Sequence, residues 1–451
     1  MTEETLDSRL RSAVRARDAE TVRALLEEGA DPNTVDADAG CAPVLCVAVA
    51  AYDAAVAEVL VEGRADPDRV LPDGTTPLWR AVDGGSPAVF AAVLGKEPRL
   101  RMPEEGRERL LTLARGWYET GAAEGLRRRA GAPGQVGVVD TVRVQDGEYE
   151  WVEQVSLGGH VVRAGHGAIL TSLEWAFRVL TPVDELIGRA VDPPHEDHVN
   201  WSSVCSILTQ RRSFETWSAV VAHRHDSDLV HRRFVLDVVR LRSLMYFDGP
   251  SHEKREGDFL AAWAAEEPDS GLLAKVLDLY TEYTHQDQEA IGLRYADHPD
   301  PRVRREVPYA FPTYGVPLTP AARAALLTLT RDPDVGVRVA ACEAGMRDDD
   351  LLPEITRTLL LLAEDPDPDA RSAAATTLAG SRIRTPAVSD ALVALLAHTD
   401  QLVRLEAAYG LALRDDPRTG EAIDRVGPLG AGFEDDQRAG ALRSWQWGKR
   451  T

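Results

Sequence analysis

The chain has 451 residues, of which 44% are hydrophobic and 27% charged, and its formal net charge is -22. This composition is typical of a folded globular or repeat protein, and no stretch approaches the roughly 18 uninterrupted apolar residues of a membrane-spanning helix. The negative charge repels phosphate backbones and disfavours nucleic acid as a partner, whereas it favours a basic protein or peptide.

The N-terminal residues and the cysteines predict a cytoplasmic location. The first ten residues are partly acidic and lack an apolar core, so we expect no secretory signal. The cysteines show no CxxC spacing, which favours buried thiols in a reducing compartment over a disulfide or zinc framework. These are Cys41, Cys46, Cys205 and Cys342. Nearly all of the 51 basic residues are arginine, a bias that suggests a bacterium with a GC-rich genome.

Two motifs recur in the first third of the chain. LLEEGADPN, residues 25–33, returns as VLVEGRADPDR at residues 59–69, and APVL returns as TPLW with Pro43 moving to Pro77. A proline at the first helical position and a glycine after the last one would make each unit a self-terminating helix pair. These residues resemble ankyrin repeats over residues 6–98. A helical pair at residues 103–129 lacks the motif and is expected to cap the stack.

The middle of the chain changes to alternating, valine-rich segments. VGVVDTVRV and YEWVEQVSL flank Asp146-Gly147, a dipeptide that predicts a type I′ hairpin, and residues 160–163 predict a third strand. The glycines around residue 165 lack the GK[ST] or GxGxxG context of a phosphate loop, so we interpret them as turn residues.

An aspartate followed four positions later by an arginine recurs in the last half. The pairs stand 34, 33 and 33 residues apart: Asp300/Arg304, Asp334/Arg338, Asp367/Arg371 and Asp400/Arg404. Apolar residues three and seven positions after each aspartate predict one buried helix face. Asp228/Arg232 fits the same frame, Asp269 has Leu273 in place of arginine, and Glu434/Arg438 continues the series.

These motifs resemble HEAT repeats of the short bacterial type that is also found in phycobilisome-lyase-like proteins. Each aspartate can cap the second helix of its pair, and each arginine can reach the aspartate of a neighbouring repeat. We therefore interpret the Asp and Arg pairs as a structural ladder. The predicted fold is an all-α alpha-solenoid: ankyrin repeats with a helical cap at 1–134, a β-hairpin and helical connector at 135–196, and a HEAT-repeat superhelix at 197–451.

No catalytic or metal site is predicted. His195, His198 and the histidines at 223, 225 and 231 stand near acidic residues, but no HExxH or CxxC supports a metal, and no nucleophile elbow is present. No cofactor is predicted either. One locally basic stretch, residues 211–242, carries seven arginines near Trp201, Phe214 and Trp217.

The favoured function is a non-enzymatic scaffold that binds a protein or a peptide through its concave surfaces. The alternative is a HEAT-type enzyme, lyase-like or DNA-glycosylase-like, that acts on a ligand held in the concave face. The candidate partner-binding residues are acidic or aromatic positions outside the regular ladder. In the ankyrin part they are Asp36, Asp38, Asp73 and Trp79, and in the HEAT part Glu306, Tyr309, Glu343, Glu406 and Tyr409.

Overall fold

The computed structural model describes residues 5–36, 42–130, 139–245, 250–312, 316–433 and 435–448. These residues form a repeat-like, mostly helical fold with 26 α-helices and two small sheets. The chain divides into two compact units, residues 1–247 and 248–451. No helix in the described ranges combines the length and the apolar character needed to cross a bilayer.

The first unit is built from paired helices. They are α1 (Leu6–Ala16), α2 (Ala19–Glu27), α3 (Val44–Ala50), α4 (Ala54–Glu62), α5 (Pro77–Gly84), α6 (Pro87–Leu94), α7 (Pro98–Arg101), α8 (Glu104–Thr120), α9 (Ala122–Arg129), α10 (His166–Ala176), α11 (Val183–Ala190), α12 (Val199–Gln210), α13 (Phe214–Ala222) and α14 (Leu229–Met245). A 3₁₀ turn at His223–His225 separates the last two. Successive contacts join α1, α3, α5, α8, α10, α12 and α14 into one layer.

The predicted β segment is a three-stranded antiparallel sheet beside this layer. Its strands are β3 (Asp140–Gln145), β4 (Trp151–Leu157) and β5 (His160–Arg163), in that spatial order. The third strand is confirmed, but the position of the tight turn was wrong. Residues 146–150 form a wider loop, whereas Leu157 pairs with His160 across two glycines with φ of 57° and 82°. Positive φ at both loop residues is the type I′ requirement.

The segment predicted to be ankyrin repeats, residues 6–98, contains another, shorter hairpin, in which β1 (Val35–Asp36) pairs with β2 (Ala42–Pro43). Pro77 is the first residue of α5, as predicted, and the Thr76 hydroxyl accepts the Trp79 N–H at 3.1 Å. Pro43 instead precedes α3 as its N-cap, because its ψ of 145° is extended rather than helical. The prediction of Pro43 as a first helical residue was therefore wrong.

The helix stops of the two repeats also differ from the prediction. Gly29 has a φ of 103°, but in the next repeat the positive φ of 75° belongs to Arg64, and Gly63 has a φ of -72°. A Cβ on Gly63 would come within 2.7 Å of Leu26 Cδ1. Gly63 thus lies close to the preceding repeat, where a Cβ would need the end of the Leu26 side chain to move, and its backbone conformation does not demand glycine.

The second unit contains six helix pairs. They are α15 (Pro250–Glu266) with α16 (Ser270–Thr281), α17 (Gln288–Arg294) with α18 (Pro301–Glu306), α19 (Pro320–Leu329) with α20 (Val335–Gly345), α21 (Leu352–Ala363) with α22 (Pro368–Gly380), α23 (Pro386–Leu395) with α24 (Gln401–Leu413), and α25 (Thr419–Val426) with α26 (Gln437–Gly448). 3₁₀ turns lie at Val307–Ala310 and Ala431–Phe433. Each second helix from α16 to α26 contacts the next second helix. We call these six helices the second-helix layer.

An aspartate begins every helix of this layer. Its Oδ1 accepts a backbone N–H of the first turn, and the six caps are Asp269, Asp300, Asp334, Asp367, Asp400 and Asp436. The apolar positions behind the four regular caps are at most 2% exposed, from Val303 and Val307 to Val403 and Ala407, which confirms the predicted buried face. In the last pair the cap is Asp436, so the Glu434/Arg438 frame was wrong by two residues, and Glu434 itself lies outside the described residues.

The three predicted segments do not coincide with the two units. The limits at 134/135 and 196/197 both fall inside the first unit. α8 contacts α10 directly, so the layer of the first unit continues past the sheet. The division into 1–134, 135–196 and 197–451 stays a prediction about repeat type.

Candidate functional site

Arg304 shows what the recurrent arginines of the second unit do. Its Nη1 donates to the carbonyls of His298 and Pro299 at 2.8 and 3.1 Å, which closes the turn before its own helix. Its Nε and Nη2 each lie 2.7 Å from a carboxylate oxygen of Asp332. Arg304 thus joins its own repeat to the next one, through an aspartate two residues before the cap Asp334.

The same geometry recurs with a changing acceptor. Arg338 donates to the carbonyls of residues 332 and 333 and, at 3.3 Å, to Asp365 of the next repeat. Arg371 Nη1 likewise donates to two backbone carbonyls of the preceding turn, and its Nη2 lies 3.3 Å from His398 Nε2. Arg404 Nε donates to the Arg425 carbonyl instead of to a side chain. The acceptor position, two residues before each cap, was missed by the sequence reasoning, although the polar residues of HPD, DPD and HTD recur there.

The first unit contains one copy of this local arrangement. Asp228 Oδ1 accepts the Val230 N–H at 2.9 Å, and Arg232 Nη1 donates to the carbonyls of Asp226 and Ser227 at 2.8 and 3.4 Å. The Asp228/Arg232 frame read from the sequence therefore has the geometry of the later repeats.

Three of the predicted partner-binding residues lie together in the second unit. Glu306 ends α18, Tyr309 lies in the 3₁₀ turn that follows, and Tyr309 Oη donates to Glu343 Oε2 of α20 at 3.0 Å. Tyr309 and Glu343 line a cleft of about 410 Å³ whose other charged lining residues are Asp278, Glu282 and Arg347. We call this space the acidic cleft.

The acidic cleft perturbs the ionisation of the residues around it. Burial, together with the Asp278 carboxylate and against the opposing charge of Arg305, raises the pKa of the Glu306 carboxyl to about 7. Burial, followed by the Glu343 carboxylate, also raises the pKa of the Tyr309 phenol. Glu306 does not line the cleft itself, but its charge acts on the lining residue Tyr309, so the proton that it exchanges near neutral pH changes the charge beside the cleft.

The other two predicted residues of this surface lie further along the second-helix layer, on α24. Glu406 accepts a hydrogen bond from Arg438 Nη1 at 2.7 Å, so its charge is already neutralised within the unit. Tyr409 is half-buried on the same helix. The structure thus brings Glu306, Tyr309 and Glu343 together and leaves Glu406 and Tyr409 apart from them.

The predicted residues of the ankyrin-like segment are engaged in local contacts. Asp36 is 1% exposed and forms a salt bridge with Arg15, so it offers almost no surface to a partner. Asp73 accepts hydrogen bonds from Thr75 and Arg80, and the Thr75 hydroxyl lowers the pKa of Asp73 to about 2. Trp79 packs partly buried against the core. Asp38 lies outside the described residues.

Within the described ranges, no three His, Cys, Asp or Glu side chains are arranged to hold a metal ion. The histidines that invited such a reading have other contacts. His198 lies 3.4 Å from Glu153 and edge-on to Trp151, and His223 lies 3.0 Å from Asp184. Three of the four cysteines are described, and all three are free and buried, as predicted.

Comparison with known proteins gives one family match. Residues 355–426, which cover α21 to α25, match the family model for HEAT repeats. No curated protein matches the sequence. In its second unit the chain therefore contains HEAT repeats, the kind of helical repeat that commonly serves as a scaffold for protein interactions.

Proposed function

We propose that the chain is a non-enzymatic repeat scaffold whose second unit binds a basic protein or peptide at the acidic cleft. The observation that supports this most is the charge of the cleft. Among the described residues, Asp278, Glu282 and Glu343 line it together with one cation, Arg347, and the charge of Glu306 acts on the lining residue Tyr309. A lysine or arginine side chain would neutralise these carboxylates, and complementary charge speeds encounter and fixes orientation.

The recurrent aspartates and arginines of the second unit support the proposed binding surface indirectly, because they already have partners within the fold. The arginines from Arg304 to Arg404 use their donors on backbone carbonyls and on the next repeat, and the aspartates cap helices. Their chemistry is taken up by the fold. The surface available for a partner is the less regular set of side chains on and next to the second-helix layer. Of the partner-binding residues predicted from the sequence, Tyr309 and Glu343 line the cleft.

We further propose that residues 6–98 are ankyrin repeats ahead of the HEAT repeats. The repeated turns support this. Asp31 Oδ1 accepts the Asn33 N–H and Asp66 Oδ1 accepts the Asp68 N–H, each at 2.9 Å, and Asn33 Oδ1 accepts the Asp66 N–H at 2.8 Å. We also propose a cytoplasmic location in a bacterial cell. The three described cysteines, which are free and buried, support a reducing compartment, and the predominance of arginine over lysine supports a GC-rich bacterial genome.

The test uses a fluorescein-labelled peptide of alternating arginine and leucine and measures its anisotropy on the full chain. Binding should weaken with salt and should weaken about tenfold when Glu343 is changed to Gln, since a charge-assisted hydrogen bond is lost. Affinity should rise from pH 6 to pH 8, because Glu306 loses its proton in this range.

The matched control is Glu421→Gln, which removes one exposed carboxylate from α25. It should leave peptide affinity within about twofold, because an exposed charge outside the cleft contributes little. Equal effects of Glu343→Gln and Glu421→Gln would mean that the peptide responds only to net charge, and the proposed site would be wrong.

A further inference from the structure

A second cleft, in the first unit, has a different character. It occupies about 720 Å³ and its lining includes Trp175, Leu180, Pro182 and Val183. Leu180 is 78% exposed, an unusual position for a large apolar side chain in a highly charged protein. Phe214, which is 68% exposed, follows the lining residue Ser213. The cleft therefore offers apolar surface without a cover from the described residues of its unit.

Arg211 lines this cleft and is only 6% exposed. Its Nη1 donates to the Thr181 carbonyl at 2.6 Å, and its guanidinium carbon lies 5.9 Å from the Trp175 ring centroid. In the described part of the chain its Nε has no acceptor and no carboxylate lies within salt-bridge distance. Burial lowers the pKa of Arg211. A buried guanidinium without a counter-ion is costly, and an anion would relieve that cost.

The Glu174 carboxylate opposes the lowering of the Arg211 pKa, but it forms no salt bridge with Arg211 in the described residues. Glu174 accepts hydrogen bonds from Arg115, Arg189 and Thr181, and its carboxylate is 1% exposed. Two carboxylates on the cleft lining, Asp184 and Glu215, form no salt bridge with Arg211 in the described residues; Asp184 lies 3.0 Å from His223.

Arg304 shows what a completed site of this kind looks like. There Nη1 binds backbone carbonyls and the Nε/Nη2 edge binds a carboxylate. Arg211 has the carbonyl contact but lacks the carboxylate. Because the guanidinium presents its donors in a planar fork, the ligand that fits it best is a planar acceptor such as a carboxylate.

We propose that this cleft binds a peptide segment of a partner protein that carries one carboxylate next to a large apolar side chain. The carboxylate pairs with the Arg211 guanidinium that lines the cleft, and the apolar side chain covers Leu180 and Trp175. Asp184 and Glu215 on the lining repel a second acidic residue, so the segment has a single carboxylate. A peptide fits better than a fatty acid, because an acyl chain against the exposed Leu180 would stay in contact with water.

The experiment selects short random peptides by display on the full chain and measures the affinities of the selected peptides by fluorescence anisotropy. We expect a class with one carboxylate beside a large apolar residue. Its affinity should fall about tenfold or more on Arg211→Met, or when its own carboxylate is changed to an amide, since a charge-assisted hydrogen bond is lost.

Two further variants keep the test decisive if Arg211→Met impairs folding. Leu180→Asp places a negative charge at the cleft and should abolish binding of the same peptides. Leu100→Asp is the matched control, because Leu100 is 79% exposed in the same unit but does not line the cleft, and it should leave binding unchanged.

Three results would overturn the proposal. One is a selection that returns no peptide of this class. Another is affinity that is indifferent to both Arg211→Met and Leu180→Asp. The third is Arg211-dependent binding of dodecanoate in the absence of any such peptide. A selection that returns only basic peptides dependent on Glu343 would also contradict this inference, while it would support the proposed acidic cleft.

Discussion

The Arg304 guanidinium lies edge-on against the Asp332 carboxylate, with Nε and Nη2 each 2.7 Å from one of its oxygens, across the boundary between two repeats. The side chains of Arg304 and Asp332 are 13% and 8% exposed. A pair this buried is costly to break from one side, because the remaining charge loses its partner but not its burial.

Asp332→Ala should therefore lower the free energy of unfolding by about 3 kcal/mol. The control is Arg302→Ala, which removes a salt bridge to Asp300 from a side chain that is 67% exposed and should leave the free energy of unfolding nearly unchanged. Urea unfolding followed by circular dichroism measures both. Similar losses for the two variants would show that Asp332 adds no more than a surface ion pair does.

Glu306 predicts a stability that depends on pH. Its folded pKa of about 7 lies above the ordinary glutamate value of 4.5, so the folded state binds the proton more tightly than the unfolded state. This contribution is fully present below pH 4.5 and is lost as the pH rises through 7. Because Glu306 is only partly buried, we expect wild type to lose about 1 kcal/mol relative to Glu306→Gln between pH 5 and pH 8. Parallel pH profiles of unfolding for the two proteins would contradict the shift.

Gly410 lies where α24 packs closely against α22, so we expect a larger residue there to destabilise the fold. A Cβ there would lie 2.8 Å from the Ala379 Cα, a backbone atom that cannot rotate away. Gly410→Ala should lower the free energy of unfolding by about 1 to 3 kcal/mol, although alanine is the better helix former. Gly380→Ala, at the end of α22 with open space around it, should be neutral or raise stability by up to about 1 kcal/mol. Thermal unfolding distinguishes the two, and equal melting temperatures would refute the close contact.

We expect the free energy of unfolding to change little when the buried charge of Arg211 is removed. In Arg211→Met the lost hydrogen bond to Thr181 is offset by relief of the unpaired cation, so the free energy of unfolding should change by no more than about 1 kcal/mol. Arg304→Met should cost about 3 kcal/mol, because it leaves the Asp332 carboxylate buried and unpaired. If both variants lost the same stability, Arg211 would have a partner equivalent to Asp332.

The sequence by itself determined the elements that depend on local chemistry. Asp300, Asp334, Asp367 and Asp400 begin helices because their carboxylates accept N–H groups within three residues, and the apolar positions behind them are buried by helical periodicity alone. The third strand at residues 160–163 was predictable for the same reason, as alternation and turn glycines are local signals.

Tertiary structure decided what each side chain meets across a repeat boundary. The acceptor of Arg304 is Asp332 rather than the cap Asp334, and Asp36 is buried against Arg15 instead of facing a partner. Both outcomes depend on how far one helix pair is shifted against the next, which no spacing within a repeat specifies. The meeting of Tyr309 and Glu343 at one cleft, and the absence of a salt bridge to Arg211 in the described residues, arise from the same long-range placement.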